Sequence, residues 1–450
     1  MKGSDRPEIE PLEAALEALE RGQATLPPFR AEVDWDRVRG VLLEAAERLR
    51  DNYPYGHPLY VGQMLKPPHP AARLAYALAM TINPNNHALD GGRASSAMEK
   101  EAIASLASMF GWSGSLGHLC GGGTMANFEA LWVGRQEHPG RGIAASLQAH
   151  YTHSRLSEVL GVPFTGIATD ARGRMDPRAL EEALSAGGIG TVVATLGTTA
   201  CGAADPLPEI LEAARAQEVR VHADAAYGGY FTLAGNLDAP ARRAFDAAGE
   251  CDSIVIDPHK HGLQPYGCGA VIFRDPAVGR HYRHDSPYTY FTSGDLHLGE
   301  ISLECSRAGA AAVALWTTMR LLPLVRGGEF AQRLEAGREA ALVLHRDLGA
   351  DPRLAPLMAP ELDIVVFTRR AARASEASEA NRRIFDAAAR RDLHLALASV
   401  PRPLVEPSGA VSSWDAASVT CLRACVMKPE HRDWMPEVVT RLKAAVADVG

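Results

Sequence analysis

The feature that most constrains this chain is a regular alternation of helical stretches and short apolar runs between about residues 95 and 275. Amphipathic spacing predicts the helices, and the short apolar runs that follow them are typical of buried parallel strands. The predicted helices cover 97–110, 124–137, 151–160, 177–186 and 207–217. The predicted strands cover 142–146, 191–196, 220–224, 253–257 and 270–273. This alternation predicts an α/β fold with a mainly parallel sheet.

The pattern changes after about residue 310. Two long helices and then two strands that are separated by a third helix predict a smaller α+β unit. These elements are expected at 307–326, 329–348, 362–368, 376–391 and 419–427. Segment 400–415 holds three prolines and Gly409, which predicts a loop.

The first sixty residues have a third character. A surface helix is expected over 11–22, and Asp34 looks like the N-cap of a second helix. The apolar residues of that helix recur at helical spacing: Trp35, Val38, Leu42, Ala45 and Leu49. We therefore divide the chain into an N-terminal helical and extended segment (1–60), a large α/β domain (61–310) and a small C-terminal domain (311–450).

Composition excludes several classes of protein. A net charge of -8 over 450 residues gives no basic surface for nucleic acid or an anionic membrane. No apolar run reaches the roughly 20 residues of a membrane helix, and the first residues lack the apolar core of a signal peptide. The seven cysteines form no CxxC pair, so we expect free thiols rather than a metal site. A cytoplasmic protein with no bound metal is predicted.

Asp224 is the last residue of the predicted strand 220–224, and Lys260 lies shortly after the predicted strand 253–257. Both residues are therefore expected at the carboxyl ends of parallel strands. The normal lysine pKa is roughly 10.4, but burial and neighbouring positive charge lower it and make the amine a nucleophile. An aspartate can pair with the nitrogen of a pyridine ring, and the small Ala226 would let such a ring approach the sheet. Taken alone, Lys260 could be a surface lysine and Asp224 a capping or metal-binding residue.

Three further segments offer contacts for a flat anionic ligand. The glycine-rich segment 121–124, with Gly123 and Thr124, precedes a predicted helix, and backbone N–H groups at a helix N-terminus bind phosphate. His150 could stack on an aromatic ring, and Thr198 lies in a turn whose hydroxyl groups could reach the ligand. Each has a structural alternative, namely a plain loop, a structural histidine and a self-capping turn. Their order along the chain favours one common site.

In this order the motifs resemble those of the group II pyridoxal-phosphate-dependent amino-acid decarboxylases, the family of the glutamate and aromatic-amino-acid decarboxylases. The resemblance covers most of the chain from about residue 55 onward. The segments that carry it are GGGTMAN (121–127), AHYTHSRLSEVLGV (149–162), TLGTTACGAADP (195–206), HADAAYGG (222–229), DSIVIDPHKHG (252–262), ISLECSRAGAAAVALW (301–316) and LRACVMKPEH (422–431). The residue after the lysine, His261, departs from the better-known members.

The resemblance implies a homodimer of the fold type I transferases, with the active site at the subunit interface and pyridoxal 5'-phosphate (PLP) as cofactor. Lys260 would hold the cofactor as a Schiff base, Asp224 would pair with the ring nitrogen, and His150 would stack on the ring. Thr124 and His259 would lie near the phosphate.

Substrate contacts are also implied. Arg423 matches an arginine that meets a substrate carboxylate in related enzymes. A loop tyrosine, Tyr288 or its close rival Tyr290, or else His259, would return a proton to the substrate Cα. Further candidates for the substrate pocket are His57, Tyr60 and His87.

The predicted function is therefore decarboxylation of an amino acid to its amine and carbon dioxide. The closest alternative is a PLP-dependent carbon–carbon lyase that releases an aldehyde, similar to sphingosine-phosphate lyase. An aminotransferase is a further alternative, since Arg423 could serve one. A protein that binds PLP without catalysis conflicts with the joint presence of Asp224, His150 and Lys260, and a metal hydrolase lacks an HExxH motif.

Overall fold

The computed structural model describes residues 9–22, 24–29, 31–283 and 296–450. Helices α1 (Ile9–Arg21) and α2 (Trp35–Leu49) come first. As predicted, Asp34 caps α2, because its side chain accepts a hydrogen bond from the Arg37 amide. Helices α3 (Pro70–Met80) and α4 (Leu89–Ser108) lead into the central sheet.

A seven-stranded sheet forms the centre of the α/β part. Its strands are β1 (Leu116–Cys120), β2 (Gly142–Ser146), β3 (Phe164–Ile167), β4 (Ile189–Thr195), β5 (Arg220–Asp224), β6 (Ser253–Ile256) and β7 (Gly269–Phe273). The order across the sheet is β1-β7-β6-β5-β4-β2-β3. Strands β2 to β6 pair in parallel, and β7 runs antiparallel between β1 and β6. The mainly parallel sheet is confirmed, although the sequence pattern missed the short edge strands β1 and β3.

Five helices connect and cover these strands. They are α5 (Gly123–Glu137), α6 (Thr152–Leu160), α7 (Pro177–Ser185), α8 (Leu207–Arg215) and α9 (Ala239–Asp246). Asp176 begins α7, since its side chain accepts from the Arg178 amide while Pro177 occupies the first helical turn. Because β4, β5 and β6 are neighbouring parallel strands, the loops at their carboxyl ends meet at one edge of the sheet.

The C-terminal part is α+β, as predicted. Its helices are α10 (Gly309–Leu321), α11 (Glu329–Gly349), α12 (Ala374–Ala389), α13 (Arg402–Val405) and α14 (His431–Val449). Its strands are β8 (Leu354–Pro356), β9 (Ile364–Arg369), β10 (Ala371–Arg373), β11 (Ala396–Pro401), β12 (Val411–Ser413) and β13 (Ser418–Cys425). Strands β11, β13, β9 and β8 form an antiparallel sheet in that order.

Two sequence expectations need comment. Segment 400–415 is not all loop, because it contains α13 and β12. The domain boundaries at 61 and 311 stay a prediction, since one apolar core runs from the large sheet to C-terminal residues such as Leu362 and Val419. Within the described ranges no helix combines the length and the apolar character needed to span a bilayer.

Candidate active site

A cavity of about 620 Å³ opens at the sheet edge where β4, β5 and β6 end. Open α/β sheets bind their ligands at this edge. Thr195 ends β4, Asp224 ends β5 and Asp257 follows β6, and all three line the cavity. The residues predicted from sequence that line it are Gly123, Thr124, His150, Asp224, Ala226, His259 and Lys260.

The Lys260 amine lies at the cavity beside a carboxylate. Its Nζ is 3.0 Å from Oδ2 of Asp257, and the Lys260 side chain is 22% exposed. The second oxygen of Asp257 is buried and has no hydrogen-bond partner among the described residues. Burial lowers the pKa of the neighbouring His259, so its imidazole is neutral at neutral pH. The amine is therefore accessible from the cavity while its surroundings are largely desolvated.

Asp224 is held as a buried, ionised carboxylate. Its Oδ2 lies 2.8 Å from Nε2 of His153, and its Oδ1 accepts from the Ala226 amide at 3.2 Å. Burial by itself would raise the pKa of Asp224. The hydrogen bond and charge of His153, with the charge of Lys260, outweigh burial and hold that pKa well below its usual range. A permanent negative charge therefore faces the cavity.

The glycine-rich segment leaves bare backbone at the start of α5. Gly122 has φ +144°, which side-chain-bearing residues rarely adopt, and a Cβ on Gly123 would lie 2.6 Å from Oδ2 of Asp257. Asn127 Nδ2 donates to the Gly123 carbonyl at 2.8 Å, and its Oδ1 lies 2.8 Å from Nε2 of His222. These two hydrogen bonds hold the glycine-rich segment in place. The N–H groups of the first turn of α5 and the helix dipole then favour an anion such as phosphate.

The remaining walls suit a flat ring. His150 is half-buried, and burial lowers its pKa, so it presents a neutral imidazole. The Thr195 hydroxyl is buried at the cavity and has no hydrogen-bond partner in the described part of the chain. Lysine amine, ionised aspartate, bare helix N-terminus and unpartnered hydroxyl together fit the aldehyde, pyridine nitrogen, phosphate and ring oxygen of PLP.

Comparison with known proteins agrees with this geometry. The family described as pyridoxal-dependent decarboxylase conserved domain matches residues 141–370. The chain belongs to the pyridoxal-dependent decarboxylases. Its cofactor is PLP, and its reaction is the decarboxylation of an amino acid.

Two curated relatives and two solved structures share between 18% and 29% sequence identity with this decarboxylase. An L-tyrosine decarboxylase of Enterococcus faecium is 28% identical, over 72% of this chain and 69% of the relative. A probable L-tyrosine/L-aspartate decarboxylase of Methanocella arvoryzae is 29% identical, over 72% and 83%. The structure of Oryza sativa TDC with PLP and tryptamine superposes with a TM-score of 0.79 at 18% identity, over 98% of this chain and 96% of that one. The structure of mouse CSAD superposes with a TM-score of 0.77 at 20% identity, over 95% of this chain and 92% of that one. These superpositions confirm the predicted fold.

Several predicted residues of the decarboxylase lie away from the cavity lining. Thr198 is buried in its turn, where its hydroxyl accepts from the Ala203 amide at 3.0 Å, and Thr195 and Thr199 line the cavity instead. This is the self-capping alternative that the sequence left open. Arg423 is buried in β13, and its Nη2 lies 3.2 Å from Sγ of Cys425.

The other substrate candidates have structural neighbours. His57 Nδ1 accepts from the Leu59 amide at 3.1 Å, and the Tyr60 hydroxyl accepts from the Gln63 amide at 3.1 Å. His87 packs against Gly299, where a Cβ would meet its ring. Their substrate roles, like that of Arg423, stay predictions. Tyr288 and Tyr290 lie outside the described residues.

Sequence reasoning missed three residues of the decarboxylase site, namely His153, Asp257 and Tyr227. His153 follows His150 by three residues, and a histidine one helical turn farther on was an available signal. Asp257 precedes Lys260 by three residues and ends the predicted strand 253–257. Tyr227 follows Asp224 by three residues and lines the cavity, but no spacing in the sequence reveals the distant partner of its hydroxyl.

Proposed function

We propose that this decarboxylase converts an L-amino acid to its amine and carbon dioxide in this cavity, with Lys260 as the attachment point of the cofactor. The observation that carries the proposal is the convergence of the Lys260 amine, the ionised Asp224 and the bare N-terminus of α5 on one cavity. When bound there, PLP supplies the electron sink that accepts the electrons of the Cα–carboxylate bond.

The chain's own residues would divide the remaining work. Asp224 would present its negative charge to the ring nitrogen, and the start of α5 with Thr124 would hold the phosphate. The neutral His150 would pack against the ring face. His259, whose neutral imidazole can take up a proton and then donate it, is one candidate for proton transfer to the substrate Cα. Tyr288 or Tyr290 is the other candidate for that proton transfer.

The names of the relatives suggest which substrates to test first. Purified protein with PLP would be given L-tyrosine, L-aspartate, L-glutamate and the other aromatic amino acids, with amines detected by mass spectrometry. We expect one of them to yield amine and carbon dioxide in equal amounts. An aldehyde product would instead identify a carbon–carbon lyase, and a requirement for a keto acid would identify an aminotransferase. No amine from any amino acid would overturn the proposal.

The contact between His153 and Asp224 predicts a pH effect. In His153→Phe, the hydrogen bond and the charge that most strongly oppose burial would be lost, so the pKa of Asp224 should rise. The carboxylate would then gain a proton as the pH falls within the working range, so kcat should decline on the acid side at a higher pH than in the wild type. Profiles of kcat from pH 5 to 8 measure this shift.

A matched variant controls for the loss of a buried histidine. His118 forms a similar buried pair with Glu129, at 2.9 Å, and does not line the cavity. His118→Phe should destabilise the fold without moving the acid side of the profile. Superimposable profiles for His153→Phe and the wild type would contradict the role of His153.

We further propose a homodimer, supported by the exposed face of α2. Trp35, Leu42 and Leu49 share one side of this helix and are 71%, 63% and 66% exposed, and no residue of α2 is buried. Burying such a face on a second copy would contribute about 25 cal/mol per Å².

Light scattering after size exclusion should show a dimer in the wild type and a shift toward monomer in Leu42→Glu. Gly40→Glu is the control, because position 40 lies on the opposite side of α2 and its Cβ would meet nothing. Equal dissociation of both variants would argue against this interface.

We propose a cytoplasmic location because the cysteines are unpaired. All seven are free thiols and six of them are buried. Unpaired cysteines persist in reducing compartments. Fractionation of the source cells with an antibody against this chain tests the location, and recovery outside the cytoplasm would overturn it.

A further inference from the structure

A buried carboxylate from the C-terminal part of the chain reaches the wall of the cavity. Asp363 immediately precedes β9 and is 1% exposed. Its Oδ1 accepts a hydrogen bond of 2.6 Å from the hydroxyl of Tyr227, which lines the cavity. Tyr227 lies in the turn that follows β5, three residues after Asp224. One oxygen of Asp363 therefore holds the segment that carries Asp224.

The second oxygen faces the segment that carries Lys260. Oδ2 of Asp363 lies 3.3 Å from Nε2 of His261, the residue after Lys260. The His261 ring is buried edge-on against Tyr227 at 4.8 Å and Phe231 at 5.1 Å between centroids. Burial lowers the pKa of His261 well below its usual value, so the imidazole is neutral, and neither of its ring nitrogens has a hydrogen-bond partner among the described residues.

Asp363 is ionised at neutral pH and can accept at both oxygens. Burial raises its pKa to about 6, and the hydrogen bond from Tyr227 and the positive charge of Lys66 limit this rise. Lys66 is half-buried, and its Nζ lies 3.4 Å from the Met427 carbonyl. Above about pH 6 the carboxylate therefore keeps Oδ1 as an acceptor for Tyr227 and a negatively charged Oδ2 beside the His261 ring.

We propose that Asp363 is a positioning residue for the cofactor site. By hydrogen-bonding Tyr227 and packing its second oxygen against the His261 ring, it sets the distance between the Lys260 amine and the Asp224 carboxylate. The inference rests on the proposed roles of Lys260 and Asp224. Asp224 ends β5 and Lys260 follows the neighbouring strand β6, and one carboxylate from the C-terminal part contacts the segments that follow both strands. A misplacement of about 1 Å can cost about a hundredfold in rate, so such a tie matters for catalysis.

The test compares two buried carboxylates of the same segment. Glu361 lies two residues before Asp363 and also reaches the large α/β part, where it accepts from the Ala204 amide at 2.8 Å and pairs with Arg172 at 3.2 Å. Asp363→Leu and Glu361→Leu remove matched groups, and Asp363→Asn keeps an acceptor for Tyr227. Each holoprotein would be measured for the rate of PLP release, the pH midpoint of the PLP absorption band, and thermal unfolding without PLP.

We expect Asp363→Leu to release PLP about tenfold faster, the scale of one lost buried hydrogen bond, and to shift the pH midpoint by about half a unit or more. Asp363→Asn should stay near the wild type. Glu361→Leu should lower thermal stability and leave the midpoint unchanged. If the two leucine variants lose stability alike and both keep the wild-type midpoint, Asp363 is merely structural and the inference fails.

Two further outcomes keep the inference testable. If Asp363→Leu does not fold, Tyr227→Phe removes the hydrogen bond to Asp363 and should move the midpoint away from the wild-type value. An unshifted midpoint would then overturn the inference. A wild-type protein that shows no PLP band at all would refute the proposed function itself, which is a distinguishable result.

Discussion

Lys260→Ala should lower amine formation by roughly a thousandfold or more, the scale on which loss of a covalent catalytic group acts. No other lysine lines the cavity in the described part of the chain, so no second amine can take over the attachment of the cofactor. Treatment with borohydride would fix attached PLP to the wild-type protein and add its mass to the peptide that contains residue 260. The variant peptide should gain no mass, although PLP can still bind through the other contacts of the cavity.

An exposed lysine provides the control for this experiment. Lys443 lies on the C-terminal helix α14, is exposed and does not line the cavity. Lys443→Ala should keep full activity and the same mass gain on the peptide that contains residue 260. If Lys260→Ala retained substantial turnover, or if borohydride labelled another lysine in the wild type, the assignment of Lys260 would be wrong.

Much of the fold follows from local pattern, and the site follows from the fold. The alternation of helices and apolar runs predicts where β5 and β6 end, and Asp224 ends β5 while Lys260 lies four residues after the end of β6. Neighbouring parallel strands bring their carboxyl ends to one edge of a sheet, which is why two residues far apart in sequence face one cavity. The position of Gly123 at the cavity was predictable from a different pattern, namely a glycine-rich segment directly before a helix, since backbone N–H groups at a helix N-terminus bind phosphate.

The details that sequence does not reveal are contacts between distant segments. Thr198 and Thr195 have the same chemistry, and the hydrogen bonds of the folded turn decide which hydroxyl faces the cavity. The bond from Tyr227 to Asp363 joins two parts of the chain whose relative placement depends on packing, and no periodicity encodes it. Similarly, the spacing in α2 predicts an apolar face, but it does not reveal that the fold leaves this face exposed.

Asp224→Asn should reduce kcat by roughly a hundredfold or more, the scale of losing one preorganised electrostatic partner. The amide keeps the size of the carboxylate but carries no charge, so it cannot stabilise a protonated pyridine nitrogen, and the electron sink weakens. The oxygen of the new side chain can still accept from the Ala226 amide, and its NH2 group can donate to Nε2 of a neutral His153, so the fold and the cavity should persist. Steady-state kinetics and the PLP absorption spectrum measure the two effects separately.

A second aspartate of the same strands distinguishes this effect from a general loss of stability. Asp252 lies at the opposite end of β6, where Oδ2 accepts from the Val221 amide at 2.9 Å and Oδ1 pairs with Arg274 at 3.2 Å. Asp252→Asn removes a charge from the same sheet without touching the cavity, so thermal stability should fall while kcat stays near the wild type. Asp224→Glu retains the charge at a changed distance and should recover part of the lost rate. If Asp224→Asn and Asp252→Asn had the same kcat, the negative charge that faces the cavity would not be the one that drives decarboxylation.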